Sequence, residues 1–210
     1  MKRSVLVGIA AAVTAAAAYA EIPGGDDTIA ACYSKVTGVV RLIDAGDFTA
    51  YRDALRFIIA TRDAGLRVAA ASSSKNTKLF LQRIRLDTFA RDEGIASASV
   101  RPGLTLLELF DADVSGRDFA RGKPDPEMFV TAAEELGVDP PEAIVLEDAA
   151  AGVQAAKAGG MAAIGIARAD DGPLLARAGA DIVVTTLDEV DTGALANGRL
   201  AIREPPNSGG

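Results

Sequence analysis

The sequence of 210 residues contains no histidine. This absence excludes Ser-His-Asp and Cys-His catalysis, phosphohistidine chemistry and histidine-ligated zinc or haem. A single cysteine, Cys32, excludes an intrachain disulfide and a thiolate metal cluster. Tryptophan is absent and aromatic residues make up 5% of the chain, which argues against a stacking platform for carbohydrate or single-stranded nucleic acid. Carboxylates, lysine, arginine, hydroxyl side chains and a hard cation remain for any chemistry.

Basic residues are outnumbered by acidic ones, with 22 Lys plus Arg against 29 Asp plus Glu and a net charge of −7. Because the chain has no visible basic block, we expect neither nucleic acid nor an anionic membrane surface as a partner. Hydrophobic residues make up 49% of the chain, which is enough for a sizeable core in one domain or two small ones.

The first twenty residues have the pattern of a signal peptide. Lys2 and Arg3 precede an apolar run over 5–18, and Ala18-Tyr19-Ala20 has the spacing of a cleavage site. The run is shorter than the roughly 20 residues of a membrane-spanning helix, so we expect no integral membrane domain. The alternative is a strand followed by a buried, alanine-rich helix. We expect export if the leader is genuine, and a cytoplasmic protein otherwise.

Composition divides the rest of the chain into three further segments. Residues 21–47 form a linker with short strands at 28–33 and 39–43, residues 48–202 form the core, and 203–210 form a disordered tail. Within the core, apolar strands alternate with amphipathic helices, which predicts an α/β fold with a parallel sheet covered on both faces. Ligands bind beyond the carboxyl ends of strands in such sheets, so the residues after each strand are the candidates.

Two polar segments follow predicted strands of this core. Ser72-Ser73-Ser74-Lys75-Asn76 comes after the strand at 66–71. Its hydroxyl and N–H groups can hold a phosphate, although turns rich in serine are common without a ligand. Lys123 lies in Gly122-Lys123-Pro124-Asp125-Pro126, after the strand at 110–114. Since the prolines restrict the backbone there, Lys123 is either a fixed cation for an anionic oxygen or a solvated turn residue.

Two adjacent carboxylates, Glu147 and Asp148, follow the predicted strand at 143–146. Their mutual repulsion would be relieved by a cation, and Mg²⁺ prefers carboxylate and water oxygens. The alternative is that Asp148 caps the helix that follows.

Together these segments resemble, in order, three motifs of the haloacid dehalogenase-like (HAD) hydrolases, in particular the β-phosphoglucomutase-like branch. The similarity runs from about Phe48 to Asp191. The residues that carry it are AASSSKN at 70–76, GKPDPEMF at 122–129 and LEDAAAGVQAAKAGGM at 146–161. The resemblance implies a Rossmann-like sheet, and Mg²⁺-dependent phosphoryl transfer on a small phosphorylated metabolite such as a sugar phosphate. We expect a monomer that acts as a phosphatase or a phosphomutase.

The resemblance also implies a role for each residue. Ser72 would bind the transferring phosphoryl group, assisted by the backbone N–H of Ser73. Lys123 would neutralise phosphoryl charge and steady the nucleophile. Asp148 would bind Mg²⁺, with Glu147 as a further direct or water-mediated ligand. Such a site works by positioning and electrostatics.

Two parts of the family pattern are not found before Ser72. One is the Asp-x-Asp motif, whose first Asp is the nucleophile at the end of the first strand, and the other is the helical cap domain. Asp44 is the nearest substitute, with Gly46 where the acid/base Asp belongs. We therefore expect a sheet truncated or rearranged at its N-terminus, with a central edge exposed unless the strand at 39–43 fills it.

Three functions follow as hypotheses. The first is an active phosphatase or phosphomutase of the HAD type. The second is an inactive relative that binds phosphate and Mg²⁺, or only folds. The third is an exported protein that binds a partner through its N-terminal segment.

Overall fold

The computed structural model describes residues 8–9, 30–33, 40–43 and 50–203. These residues fall into two compact units. The larger contains residues 8–9 and 52–203, and the smaller contains 30–33, 40–43 and 50–51. Most of the predicted leader, the candidate Asp44 and the tail at 204–210 lie outside the described residues.

A six-stranded parallel sheet forms the centre of the larger unit, with the strand order β5-β4-β1-β6-β7-β8. The predicted α/β class with a parallel sheet is therefore confirmed. Its strands are β1 (Gly8–Ile9), β4 (Ala69–Ala70), β5 (Ala112–Asp113), β6 (Ile144–Glu147), β7 (Ala162–Ile166) and β8 (Ile182–Val184).

The central position of this sheet is filled by β1. Ile9 is aligned with Ala70 on one side and with Leu146 on the other. The alternative reading of the N-terminal segment, which begins with a strand, agrees with this placement of Gly8–Ile9. Among the described residues, the six strands of this sheet do not include the strand predicted at 39–43.

The smaller unit contains a two-stranded antiparallel sheet. Its strands are β2 (Ala30–Tyr33) and β3 (Val40–Ile43), with Ala30 aligned to Ile43. Both strands lie close to the predicted positions. Strands so near in sequence pair antiparallel because little chain entropy is lost in closing a short loop, whereas a parallel pair needs a long crossover.

Eight helices lie among the described residues, and helix α1 shows how the sequence pattern forms them. Leu55, Ile58 and Ile59 are buried along one face of α1, and the helix ends shortly before Gly65, as the periodicity predicts. The helices are α1 (Arg52–Asp63), α2 (Thr77–Arg83), α3 (Leu86–Asp92), α4 (Leu106–Leu109), α5 (Glu127–Leu136), α6 (Ala150–Ala158), α7 (Gly172–Arg177) and α8 (Thr192–Ala196). None of these is long and apolar enough to cross a membrane.

The core lies on both faces of the sheet. Val145 belongs to one buried cluster, which includes Phe129 of α5, and its neighbour Leu146 belongs to the other, which includes Phe57 of α1. Successive side chains of a strand point to opposite faces, so β6 is buried on both sides, as expected for a parallel sheet covered by helices.

The sequence pattern does not predict whether residues 87–105 form helices or strands. In the structure, several residues of this segment contact α1. Glu93 forms ion pairs with Arg52 and Arg56. Further along, the Ser97 hydroxyl and the Ser99 N–H both donate to Asp63, at 2.9 and 3.0 Å. These contacts hold the segment against α1.

Candidate active site

Ser72 and Asp148, two of the polar residues singled out in the sequence, follow strand ends at the carboxyl edge of the large sheet. Ser72 lies two residues beyond Ala70 of β4, and Asp148 lies two residues beyond Leu146 of β6, while Ala70 and Leu146 are both aligned with Ile9. Neighbouring strands are about 4.8 Å apart, so the ends of β4 and β6 are separated by roughly 10 Å. The two halves of the site therefore flank the end of β1.

Ser72 is held by a network of short-range hydrogen bonds. Its hydroxyl oxygen accepts from the Thr77 hydroxyl at 2.8 Å and from the Ser74 N–H at 3.2 Å. Both Ser72 and Thr77 are buried, at 8% and 2% exposure. Ser73 is exposed in the same turn. Sequence reasoning missed Thr77, although a threonine at the start of the helix after a serine-rich turn was a usable signal.

The turn that carries Ser72 is also held from the loop after β5. The Gly116 N–H donates to the Ser72 carbonyl at 2.8 Å. Gly116 has a φ of 68°, and a Cβ there would lie 3.1 Å from the Cα of Lys75. Only glycine combines this backbone conformation with so close an approach.

Lys123 forms an ion pair with Glu147, 24 residues further along the chain. The Lys123 side chain is 20% exposed, whereas that of Glu147 is fully buried. The Lys123 Nζ also lies 5.7 Å from the centre of the Phe129 ring, which is within the range of a cation–π contact. Lys123 is therefore a positioned cation at the site and not a solvated turn residue.

The Glu147 carboxylate occupies space that only a glycine at position 152 leaves open. A Cβ on Gly152 would lie 2.0 Å from the carboxyl carbon of Glu147. The carboxylate also accepts from the Ala149 N–H at 3.3 Å. Burial raises the pKa of Glu147, the Lys123 charge acts against this rise, and the Asp148 charge adds to it.

Asp148 lies beside Glu147 and is half-buried. Burial raises its pKa, and the charge of Asp171 acts in the same direction, while Lys123 and Arg168 act to lower it. Helix α6 has Ala149 and not Asp148 at its cap position, with no side-chain cap bond. The alternative that Asp148 caps this helix is therefore wrong, because the helix begins one residue too late for it.

The two carboxylates fit a hard cation in their chemistry. Both are oxygen donors in a partly buried position, and the cradle at Gly152 holds Glu147 in place. Since Glu147 already pairs with Lys123, Asp148 is the carboxylate better placed to ligate a cation directly. Within the described ranges no group of three or more Cys, Asp or Glu side chains comes together as a metal site.

A second buried ion pair lies at the same edge of the sheet, at the start of α1. The Arg168 guanidinium, just after β7, donates to the Asp53 carboxylate at 2.8 Å. The same carboxylate oxygen accepts from the Leu187 N–H at 2.8 Å and from the Thr186 hydroxyl at 3.1 Å. Burial acts to raise the Asp53 pKa, but the hydrogen bonds and the Arg168 charge outweigh it, so the pKa is lowered.

The nucleophile substitute, Asp44, lies outside the described residues. Among the described strands, β3, which precedes it, pairs with β2 in the smaller sheet. In the large sheet, β1 is the strand between the two halves of the site, and the sequence that follows it is Ala10-Ala11-Ala12-Val13. No carboxylate therefore follows β1 directly where the family motif would place one.

Comparison with known proteins agrees with this arrangement. The family model of the haloacid dehalogenase-like hydrolases matches residues 8–160, a range that begins at β1. The chain belongs to this family. The β-phosphoglucomutase of Mycobacterium tuberculosis is 41% identical over 139 residues, which are 64% of this chain and 47% of that protein. These findings place the chain in the β-phosphoglucomutase-like branch of the HAD family.

Two further relatives are also similar to this chain over part of their length. Validoxylamine A 7'-phosphate phosphatase of Streptomyces hygroscopicus subsp. limoneus is 44% identical over 87 residues, 41% of this chain and 40% of that protein. The solved structure of an archaeal β-phosphoglucomutase from Pyrococcus has a TM-score of 0.55 and 30% identity, covering 73% of this chain and 59% of that one. The chain thus spans about half the length of these curated relatives.

Proposed function

We propose that this HAD chain acts on the phosphoryl group of a small phosphorylated metabolite, such as a sugar phosphate, as a Mg²⁺-dependent phosphatase or phosphomutase. The observation that carries the proposal is the placement of Ser72 and Asp148 on either side of the end of β1, with Lys123 held at the same site by Glu147. The activities after which the relatives are named, β-phosphoglucomutase and validoxylamine A 7'-phosphate phosphatase, support this substrate class.

Each side chain has a role that follows from its surroundings. The Ser72 hydroxyl donates a hydrogen bond to a phosphoryl oxygen, and the Lys123 ammonium neutralises part of the phosphoryl charge. Asp148 would hold Mg²⁺, with Glu147 as a further direct or water-mediated ligand. When bound, the cation supplies positive charge to the phosphoryl oxygens. Burial strengthens all of these interactions because little water screens them.

A second candidate function is binding of phosphate and Mg²⁺ without turnover. The observation that favours it is the run Ala10-Ala11-Ala12-Val13 directly after β1, since phosphoryl transfer through a covalent intermediate needs a nucleophile. In this case Ser72, Lys123 and Asp148 would keep their binding roles.

Phosphate release with Mg²⁺ separates the two candidates. The substrates are p-nitrophenyl phosphate and β-glucose 1-phosphate, and the variants are Ser72→Ala and Asp44→Asn. For an enzyme, Ser72→Ala should lower kcat/KM by about 100-fold, the usual loss when one stabilising donor is removed. Ser97→Ala, whose hydroxyl donates to Asp63 away from the site, is the matched control and should keep full activity.

The result for Asp44→Asn assigns the nucleophile. Unchanged activity in this variant would remove Asp44 from the mechanism. If the wild-type chain shows no turnover, calorimetry with inorganic phosphate and Mg²⁺ decides between binding and no function at the site. Saturable binding supports the second candidate, and the absence of both turnover and binding would contradict both.

A further inference from the structure

The buried contact between Thr77 and Ser72 limits how the Ser72 hydroxyl can act. Thr77 is the first residue of α2, five residues after Ser72, and its hydroxyl donates to the Ser72 oxygen at 2.8 Å. Both residues are buried, so water has little access to this contact. The Ser74 N–H donates to the same oxygen at 3.2 Å.

A serine hydroxyl has one proton to donate and two lone pairs that accept. Two hydroxyls 2.8 Å apart can share a hydrogen bond in either direction, but Thr77 is the more deeply buried and its hydroxyl has no other acceptor among the described residues. A buried hydroxyl proton needs an acceptor, so we assign the Thr77 proton to the bond toward Ser72. Both lone pairs of Ser72 are then used, one by the Thr77 hydroxyl and the other by the Ser74 N–H. The remaining capacity of Ser72 is its own proton. A ligand at this oxygen must therefore be an acceptor, and a donor would meet an oxygen with no lone pair left.

We infer that Thr77 is a positioning residue that commits the Ser72 hydroxyl to donate toward an anionic oxygen of the ligand. The inference rests on the proposed function, because it assumes that a phosphoryl group binds at Ser72. Thr77 does not touch the ligand and acts through Ser72. The donated bond also draws electron density from the Ser72 oxygen, which strengthens the bond that Ser72 itself donates.

Two substitutions at position 77 distinguish a role of the hydroxyl from a role of the methyl group in packing. Thr77→Val keeps the branched shape and the volume of the side chain but removes the hydroxyl. Thr77→Ser keeps the hydroxyl and removes a methyl group. A role in packing alone would be disturbed more by serine, whereas a role through the hydroxyl is disturbed only by valine.

The test measures the affinity for inorganic phosphate by calorimetry in the presence of Mg²⁺. Thr77→Val should weaken binding by about 3- to 10-fold, the range expected for one neutral hydrogen bond. Thr77→Ser should bind as the wild type does. In a Ser72→Ala background, adding Thr77→Val should change the affinity no further, because Thr77 acts through the serine hydroxyl.

Melting followed by circular dichroism shows whether each variant folds. If Thr77→Val does not fold, Thr77→Cys replaces it, since a thiol of similar size is only a weak donor. Unchanged affinity in the folded valine or cysteine variant would overturn the inference and leave the proposed function intact. An equal loss with and without Ser72 would overturn it as well. No phosphate binding by the wild-type chain would overturn the inference together with the proposed function.

Discussion

Lys123 forms an ion pair with Glu147, and the Glu147 side chain is fully buried at the end of β6. The pair joins the loop after β5 to the central part of the sheet, so it contributes to folding as well as to the charge of the site. Removing one partner leaves the other charge buried and unpaired, which is much more destabilising than losing a pair at the surface.

Replacing Lys123 with methionine should therefore destabilise the chain by about 3–5 kcal/mol at neutral pH. Urea unfolding measures this change. The double variant Lys123→Met with Glu147→Gln should recover part of the loss, because the buried charge is gone. As a control, Lys157→Met breaks a half-exposed pair with Asp181 and should change stability by no more than about 1 kcal/mol. Wild-type stability in Lys123→Met would show that the ion pair does not support the fold.

Gly152→Ala should destabilise the chain although alanine is the better helix former. Helix propensity alone would favour alanine by about 1 kcal/mol. The new Cβ, however, would lie 2.0 Å from the Glu147 carboxyl carbon and would force the carboxylate away from its position. Gly172→Ala is the matched control in α7, since its Cβ would meet neighbours only at 3.6 Å. Thermal melting compares the two, and a higher melting temperature for Gly152→Ala would contradict the crowding seen at Glu147.

The Asp53–Arg168 pair should make stability depend on pH in the acid range. Because the folded-state pKa of Asp53 is lowered, its contribution is complete above the pKa of the unfolded chain, about 3.9. The contribution is lost as the pH falls through the lower folded-state pKa. Asp53→Asn should cost about 3 kcal/mol or more at pH 7, since the buried Arg168 guanidinium no longer has the negative charge of Asp53 beside it.

The pH dependence of stability distinguishes loss of the Asp53 charge from a general loss of packing in Asp53→Asn. The difference in unfolding free energy between the wild type and Asp53→Asn should stay constant from pH 7 to pH 5. Below about pH 4 it should shrink, as Asp53 becomes protonated in the wild type. Urea unfolding at several pH values gives this difference. A difference that stays the same down to pH 2 would contradict the lowered pKa.

Mg²⁺ should raise the melting temperature if Asp148 holds a cation. A ligand at 100 times its dissociation constant stabilises the folded state by about 2.7 kcal/mol. We expect the shift in the wild type, its removal by EDTA, and its absence in Asp148→Asn. The control is Asp92→Asn, an exposed aspartate at the end of α3, which should keep the full shift. A shift of the same size in Asp148→Asn would place the cation elsewhere.

The local pattern of apolar and turn residues was enough to predict most helices and strands of the larger unit. The sequence pattern predicts a helix over 127–136, ended by Gly137, and a strand over 162–166, and both elements have these bounds in the structure. Each has a strong local signal, since Gly137 adopts a left-handed φ of 64° that glycine tolerates best, and the strand is a continuous apolar run. The strands over 69–70 and 112–113 are shorter than predicted, because an apolar run shows burial but not where pairing stops.

The contacts between the residues of the site could not be predicted from the sequence. The sequence suggested Lys123 and Glu147 separately, but their pairing depends on how the loop after β5 folds back onto β6. Asp53 and Arg168 are 115 residues apart and carry no local motif. The five-residue spacing between Ser72 and Thr77 is local, yet only the course of the turn brings the two hydroxyls together.

We propose that a phosphoryl group binds between the ends of β4 and β6. A crystal structure of the chain grown with phosphate and Mg²⁺ tests it most directly. We expect a phosphate within hydrogen-bond distance of the Ser72 hydroxyl and the Lys123 ammonium, with the cation on Asp148. A site that stays empty at saturating phosphate, or a phosphate bound away from Ser72, would contradict it.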